Sequence, residues 1–251
     1  MIKHVYLSAI SEQHFPSLKG IYVHDNHLKT IDMEIFSSMK SLAWLYLNNN
    51  KIERVHGPIV GSTLKQLLLS SNRLTELDCC NWNLSSLTSF DLEKNKLKRL
   101  PTCLSSAMPI IDTINVGSNE LEDDGFWSTI TSMRSLQTLI VKHNSLSNVN
   151  LTNITVQLNS LDLSNNKLRN LTIPLTSGPL YINVKCNYID EFDLPSMSSN
   201  ISKLDMMCNP MDCSYSKMQI IGMNHSEAQY SICKTNGFGE HCYGPSCIPF
   251  S

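Results

Sequence analysis

Nine cysteines and six Asn-x-Ser/Thr sequons are the residues of this 251-residue chain whose type and spacing invite chemistry. Four of the cysteines, Cys213, Cys233, Cys242 and Cys247, share the tail with His225 and His241. Structural zinc favours paired C-x2-C clusters, whereas the last three cysteines run C-x8-C-x4-C. The tail therefore reads as two disulfides and not as a metal site. No phosphate-binding G-x-x-x-x-G-K-[ST], no H-E-x-x-H and no G-x-S-x-G occurs, so the motifs that mark phosphoryl transfer, zinc hydrolysis and serine hydrolysis are missing. No residue marks a base for a nucleophilic Cys or Ser. The expectation is a non-catalytic protein without cofactor or metal.

Composition narrows the class further. Lys plus Arg number 20 against 22 Asp plus Glu, a net charge of −2, whereas a nucleic-acid binder carries a basic excess. Apolar residues make up 41%, too many for a disordered chain. No apolar run approaches the ~18 residues of a membrane-spanning helix.

The elements that must position these residues come from a repeat. The pattern L-x-x-L-x-L-x-x-N-x-L recurs along the chain, clearest at 42–52, 64–74, 87–97 and 158–168. Looser copies lie at 18–28, 111–121 and 136–146, and two degenerate ones at 179–189 and 201–211. The repeated asparagines are Asn26, Asn50, Asn72, Asn95, Asn119, Asn144, Asn166, Asn187 and Asn209, spaced 21 to 25 residues apart. That period and pattern define leucine-rich repeats of roughly 20–29 residues. The expected fold is an α/β leucine-rich-repeat solenoid, a curved parallel β-sheet horseshoe with a cysteine-rich C-terminal cap. In each L-x-L the two apolar residues point inward from a short strand. The chain then turns back and leaves backbone groups inside. A buried Asn amide, with two donors and an acceptor, can satisfy them in a ladder from repeat to repeat. The expected boundaries are an edge strand or truncated cap over 1–17, the solenoid over 18–211 and the cap over 212–251.

This register assigns the remaining cysteines. Cys186 and Cys208 each precede a ladder Asn by one residue, and Cys80 and Cys103 each follow one by eight. Residues in one column of neighbouring strands are about 4.8 Å apart, which suits a disulfide. Both pairs are expected as bridges. Cys79 is left as a free or intermolecular thiol, unless it competes with Cys80 for Cys103. The sequons, at Asn83, Asn150, Asn153, Asn170, Asn200 and Asn224, avoid every ladder Asn and read as exposed glycosylation sites.

The residues between the inward leucines face the concave side. Their central column is Tyr22, Tyr46, Leu68, Asp91, Asn115, Ile140, Asp162, Asn183 and Asp205. Trp44 shares the strand of Tyr46, and Lys142 and His143 follow Ile140. Tyr and Trp are favoured in binding hot spots, so Tyr22, Trp44, Tyr46, Leu68, Asp91, Ile140, Lys142 and His143 are the candidate contact residues for a protein partner. In the longest repeat, Phe126 and Trp127 are expected to fill a wide convex turn.

The stretch 55–104 carries C-x-W, then S-L-T, then K-L-x-R-L-P-T-C-L, and resembles the mosquito leucine-rich immune proteins. The tail, beginning Asn209-Pro210-Met211-Asp212-Cys213, is similar to the C-terminal cap of extracellular leucine-rich-repeat proteins, with Met211 in place of the usual Trp and Tyr215 in place of a second Cys. The resemblance implies secretion and innate defence. It also implies partnership with another leucine-rich-repeat immune protein or a complement-like thioester protein. The first ten residues lack a signal-peptide core, which suggests a fragment. Two other readings fit the pattern: a receptor or adhesion ectodomain, and an intracellular regulatory subunit.

Overall fold

The computed structural model describes residues 15–149, 157–171, 179–190, 201–210 and 229–231. In chain order its strands are β1 (Gly20–Tyr22), β2 (Thr30–Asp32), β3 (Trp44–Tyr46), β4 (Arg54–His56), β5 (Ile59–Val60), β6 (Gln66–Leu68) and β7 (Trp82–Asn83). They continue with β8 (Ser89–Asp91), β9 (Thr113–Asn115), β10 (Thr138–Ile140), β11 (Ser160–Asp162), β12 (Leu180–Asn183), β13 (Ile201–Asp205) and β14 (Gln229–Ser231). Ten of these form one parallel sheet in the order β1-β3-β6-β8-β9-β10-β11-β12-β13-β14. It is the expected leucine-rich-repeat solenoid. The sheet runs one strand past the end of the repeat pattern, because β14 pairs in parallel with β13.

Within this sheet, the strands from β1 to β13 are only three to five residues long, and each buries a central apolar side chain. Ile21, Leu45, Leu67, Phe90, Ile114, Leu139, Leu161 and Ile182 stack through the core, joined by the next apolar position, Leu47 to Leu163 and beyond. No repeat could bury this face alone, so stability comes from neighbours.

The asparagine ladder closes the turns. The Asn50 amide donates to Leu47 O (3.0 Å) and to Val23 O of the preceding repeat (2.9 Å), and its Oδ1 accepts from Leu28 N (3.1 Å). Asn72, Asn95, Asn119, Asn144, Asn166, Asn187 and Asn209 repeat this pattern. At the open end, Asn26 donates to Val23 O and His24 O. The residue before every ladder Asn is left-handed, from Asp25 (φ 58°) to Cys208 (φ 62°). None of these is Gly, so each repeat accepts a modest backbone strain that the Asn bonds hold in place.

The outer wall is less regular. Two short parallel sheets, β2–β4 and β5–β7, cover the first three repeats. A single turn of 3₁₀ helix (Met33–Phe36) and two short helices, α1 (Leu104–Ala107) and α2 (Phe126–Thr131), complete it. Phe126 and Trp127 are buried there, as expected, and Trp127 Nε1 donates to Asn148 O at 2.7 Å. Among the described residues, no helix is long and apolar enough to cross a membrane.

Candidate recognition surface

Parallel register brings the central column into line. Tyr22 pairs with Tyr46, Tyr46 with Leu68, Leu68 with Asp91, and so on through Asn115, Ile140, Asp162, Asn183 and Asp205. The face divides into two chemically different halves.

From β8 onward the column is occupied with its own backbone. Asp91, Asn115, Asp162, Asn183 and Asp205 each accept, through Oδ1, the N–H of the residue two places on. These are Asx turns, and they cap the strand ends. Asp91 thus caps the end of its own strand. Burial pushes its carboxyl above the usual range, against the hydrogen bond from Glu93 N. The next outward column adds ion pairs. Lys142 Nζ lies 3.3 Å from Glu93 Oε1, and Lys185 Nζ lies 2.9 Å from Asp205 Oδ2. Asn115 Nδ2 donates to Glu93 Oε2 at 3.1 Å. Burial disfavours the Glu93 carboxylate, but the Asn115 and Lys142 hydrogen bonds and the Lys142 charge hold its pKa below the ordinary value. Lys203 stands 4.9 Å over the Tyr181 ring.

Lys142 reaches Glu93 across an intervening strand, and Gly117 makes this possible. A Cβ at Gly117 would come within 3.1 Å of Lys142 Cγ and 3.3 Å of Asn115 Oδ1. The missing side chain is the channel through which the lysine crosses.

The first half of the face carries no ion pair between its described strands. The column residues Tyr22, Tyr46 and Leu68 cannot form Asx turns, and Tyr22 remains 58% exposed. The Tyr22 and Tyr46 rings meet edge to face, 4.9 Å apart at 85°, and Tyr46 Oη donates to Gln66 Oε1 at 2.7 Å. A Cβ at Gly20 would sit 2.7 Å from Tyr22 Cε2, so the ring lies over the glycine. Trp44 is half-buried on the neighbouring strand. Gly20, Tyr22, Tyr46 and Gln66 therefore form an ordered aromatic platform across three strands. Ile140, also unable to form an Asx turn, is isolated in the charged half.

His143 does not join this surface. It occupies the left-handed turn position before Asn144, with φ 54°, because the strand ends before it. The cysteine expectations divide similarly. Cys80 and Cys103 are joined, with Cα atoms 4.9 Å apart. The expected Cys186–Cys208 bridge is not formed: Cys186 is a thiol, while Cys208 is disulfide-bonded elsewhere. Both sit at left-handed turn positions (φ 53° and 62°), and the Cys208 sulfur is already spent on its own disulfide. Nor is Cys79 placed for an intermolecular bond. It is fully buried, and burial, aided by the Asp78 charge, pushes its thiol pKa far up. Asp78 and Cys80 point outward on either side of it, following extended-chain alternation, so Cys79 and Cys80 never compete for Cys103. Asp78, Cys80 and Cys103 offer ligand atoms within 4.8 Å of one another, but the disulfide consumes both sulfurs.

Asn83 and Asn170 are exposed. Asn150, Asn153, Asn200 and Asn224 lie outside the described residues, as do Cys213, Cys233, Cys242, Cys247, His225 and His241. The sequence reading missed the two glycines, Gln66, Glu93 and Lys185. Glu93, Lys142 and Lys185 share one outward column, and that shared position was the available signal.

Fold and sequence pattern together define a leucine-rich-repeat solenoid. Family models for leucine-rich repeats match residues 16–74 and 157–179. Among curated proteins, mouse (Mus musculus) lumican is 27% identical over 215 residues, covering 82% of this chain and 60% of lumican. The chain thus spans about 60% of the length of the lumicans it matches. Among solved structures, the APL1 leucine-rich repeat domain superposes with a TM-score of 0.61 at 21% identity, covering 81% of this chain and 59% of that one. The Drosophila Toll–Spatzle complex gives 0.63 at 20% identity, covering 88% and 32%. At these identities the structural likeness establishes the fold.

Proposed function

We propose that this chain is a non-catalytic protein-recognition module that acts outside the cell in innate immune recognition. Its partner docks on the aromatic platform of β1, β3 and β6. Residues 18–211 are the recognition solenoid, 212–251 its cysteine-rich cap, and 1–17 an edge strand or truncated cap. The observation that carries this reading is the contrast within the face. Four column residues, Tyr22, Tyr46, Leu68 and Ile140, neither cap a strand nor pair a charge, and the two aromatic ones among them stand edge to face on neighbouring strands. Preorganised rings lower the ordering cost of binding, and Tyr and Trp dominate interface hot spots. The immune assignment draws on the resemblance of 55–104 to the mosquito leucine-rich immune proteins. It draws also on the likeness in fold to the Toll–Spatzle complex, a molecular hub in Drosophila development and innate immunity. The partner fitting that resemblance is another leucine-rich-repeat immune protein or a complement-like thioester protein.

The test is cross-linking of the secreted chain in extracellular fluid from its source, with Trp44→Ala/Tyr46→Ala and Lys142→Ala/Lys185→Ala variants run beside it. A protein captured by the wild type and the lysine variant but lost from the aromatic variant supports the reading. Capture that survives loss of both aromatics sinks the platform as the docking site.

A further inference from the structure

We infer that Asn83 carries an N-linked glycan whose first sugar lies over, and covers, the exposed Val60 side chain of the outer wall. The inference rests on the extracellular reading, because this modification takes place in a secretory compartment. Asn83, Leu84 and Ser85 form the sequon, and the chain there alternates strictly. Leu84 is fully buried, while Asn83 and Ser85 both face solvent. The ladder asparagines spend their amides on two or three buried carbonyls. The Asn83 side-chain amide, by contrast, makes no hydrogen bond among the described residues; only its backbone is engaged, in the pairing of β7 with β5, where Gly61 N donates to its oxygen at 2.9 Å. A glycan on this amide costs the fold nothing.

A second, independent observation concerns the neighbour. Val60 is the direct register partner of Asn83 in the β5–β7 sheet, and it is 55% exposed. Ile59 beside it is buried, so alternation turns Val60 outward on the same face as Asn83. Directly paired side chains on adjacent strands stand about 5 Å apart. A sugar ring leaving Asn83 therefore passes over the valine. Short exposed edges carrying apolar residues invite pairing with other chains, and a hydrated glycan blocks that approach.

The reaction balances without redox chemistry. The Asn83 amide nitrogen forms a bond to C1 of a sugar held on a lipid-linked pyrophosphate. The C1–oxygen bond to the pyrophosphate breaks, the lipid pyrophosphate leaves, and the amide proton goes to a base of the transferase. Transfer precedes folding, so the folded wall has only to leave the site open.

The test expresses the full chain behind a cleavable secretion signal in mammalian cells and maps its glycopeptides. Most of the Asn83 peptide is expected to carry glycan, with Asn83→Gln and Ser85→Ala losing one glycan each and Ser85→Thr keeping it. Enzymatic removal of glycan from the folded protein should raise binding of a hydrophobic dye several-fold, and Val60→Thr should abolish that rise. A bare Asn83 in secreted protein whose other sequons are occupied overturns the proposal alone. Unchanged dye binding on deglycosylation overturns the covering role. A glycan at Asn83 in this recombinant protein, but none on protein isolated from its source, overturns the extracellular reading and the proposal with it.

Discussion

The two halves of the concave face use one scaffold to opposite ends. From β1 to β6 a glycine lets an aromatic ring lie flat, and the ring stays exposed at the surface. From β8 to β13 a glycine lets a lysine cross a strand, and the lysine is tied to Glu93. Both halves rest on the same ladder, the same stacked core and the same left-handed turns. What differs is how the outward residues satisfy one another: by ring contact in the first half, by strand caps and ion pairs in the second. A half whose side chains cap and pair themselves holds its own shape. A half ordered by ring contact and a single Tyr46–Gln66 hydrogen bond leaves an aromatic side chain, Tyr22, largely exposed. Residue type alone would have ranked Asp91, Lys142 and Tyr46 together as contact candidates; the bonds they make separate them.

The halves meet between β6 and β8, and this joint is sealed twice. Inside, Asn95 donates to Leu69 O and Leu92 O and accepts from Leu74 N, each at 3.0 Å. Replacing it with Ala strands buried backbone groups at about 1–3 kcal/mol apiece, so Asn95→Ala is expected to cost about 3–5 kcal/mol in urea unfolding. Because repeats couple only to neighbours, the halves should also begin to unfold separately, with Trp44 and Trp127 fluorescence no longer changing together. A cost below about 1 kcal/mol would show that the ladder merely accompanies the turns. Outside, the Cys80–Cys103 disulfide spans the same two repeats across 23 residues. Chain-entropy arguments put such a loop near 3 kcal/mol, and the Cys80→Ser/Cys103→Ser protein should lose about 2–3 kcal/mol. Its Trp44 and Trp127 transitions should separate less than those of Asn95→Ala, since the inner seal remains.

The contrast in binding comes next in size. Once a partner is in hand, Trp44→Ala or Tyr46→Ala should weaken it by about 2 kcal/mol or more, the scale of a hot spot. Lys185→Ala, whose lysine is already paired with Asp205, should change affinity by less than about 1 kcal/mol. Gly20→Ala sharpens the comparison: it should displace the Tyr22 ring, lower affinity and leave thermal stability nearly unchanged. Equal effects at Trp44 and Lys185 would erase the distinction between the halves.

Legibility in the sequence followed the same physical divide. The inner wall repeats one solution, so period, register and the nine ladder asparagines could all be read from spacing. Cys80 and Cys103 could be paired because they hold equivalent places in adjacent repeats. Cys186 and Cys208 also hold equivalent places, yet Cys208 spends its sulfur on a different disulfide, a choice that equal register does not reveal. Cys79 looked like the odd thiol available to another chain until alternation put it in the core. The Lys142–Glu93 pair skips a strand and passes close over Gly117, where a Cβ would crowd the lysine, a relation no single repeat displays. His143 stood beside Lys142 as a candidate because both follow Ile140, and the sequence does not mark that the left-handed turn falls at His143.

The smallest expected effect separates the two carboxyls of the charged half. Asp91 has a raised folded pKa, so its folded form binds a proton more readily than the unfolded chain. Its contribution to stability therefore grows as pH falls through that raised value. Glu93 has a lowered folded pKa, so its contribution is present above the unfolded value and is lost as pH falls through the folded one. The two oppose each other in the acid range. Lys142→Met removes the cation and a hydrogen-bond donor that hold Glu93 down, and with them the lesser pull of that charge on Asp91, whose dominant cause, burial, remains. Near neutral pH the variant should be less stable by about 0–1 kcal/mol, since the pair is partly exposed. That deficit should shrink as pH falls through the depressed Glu93 range, where the wild-type carboxylate is itself protonated. Urea midpoints of both proteins between neutral pH and pH ~3 measure it. A deficit independent of pH would mean that Lys142 stabilises the face by packing its methylene chain over Gly117 rather than by its charge.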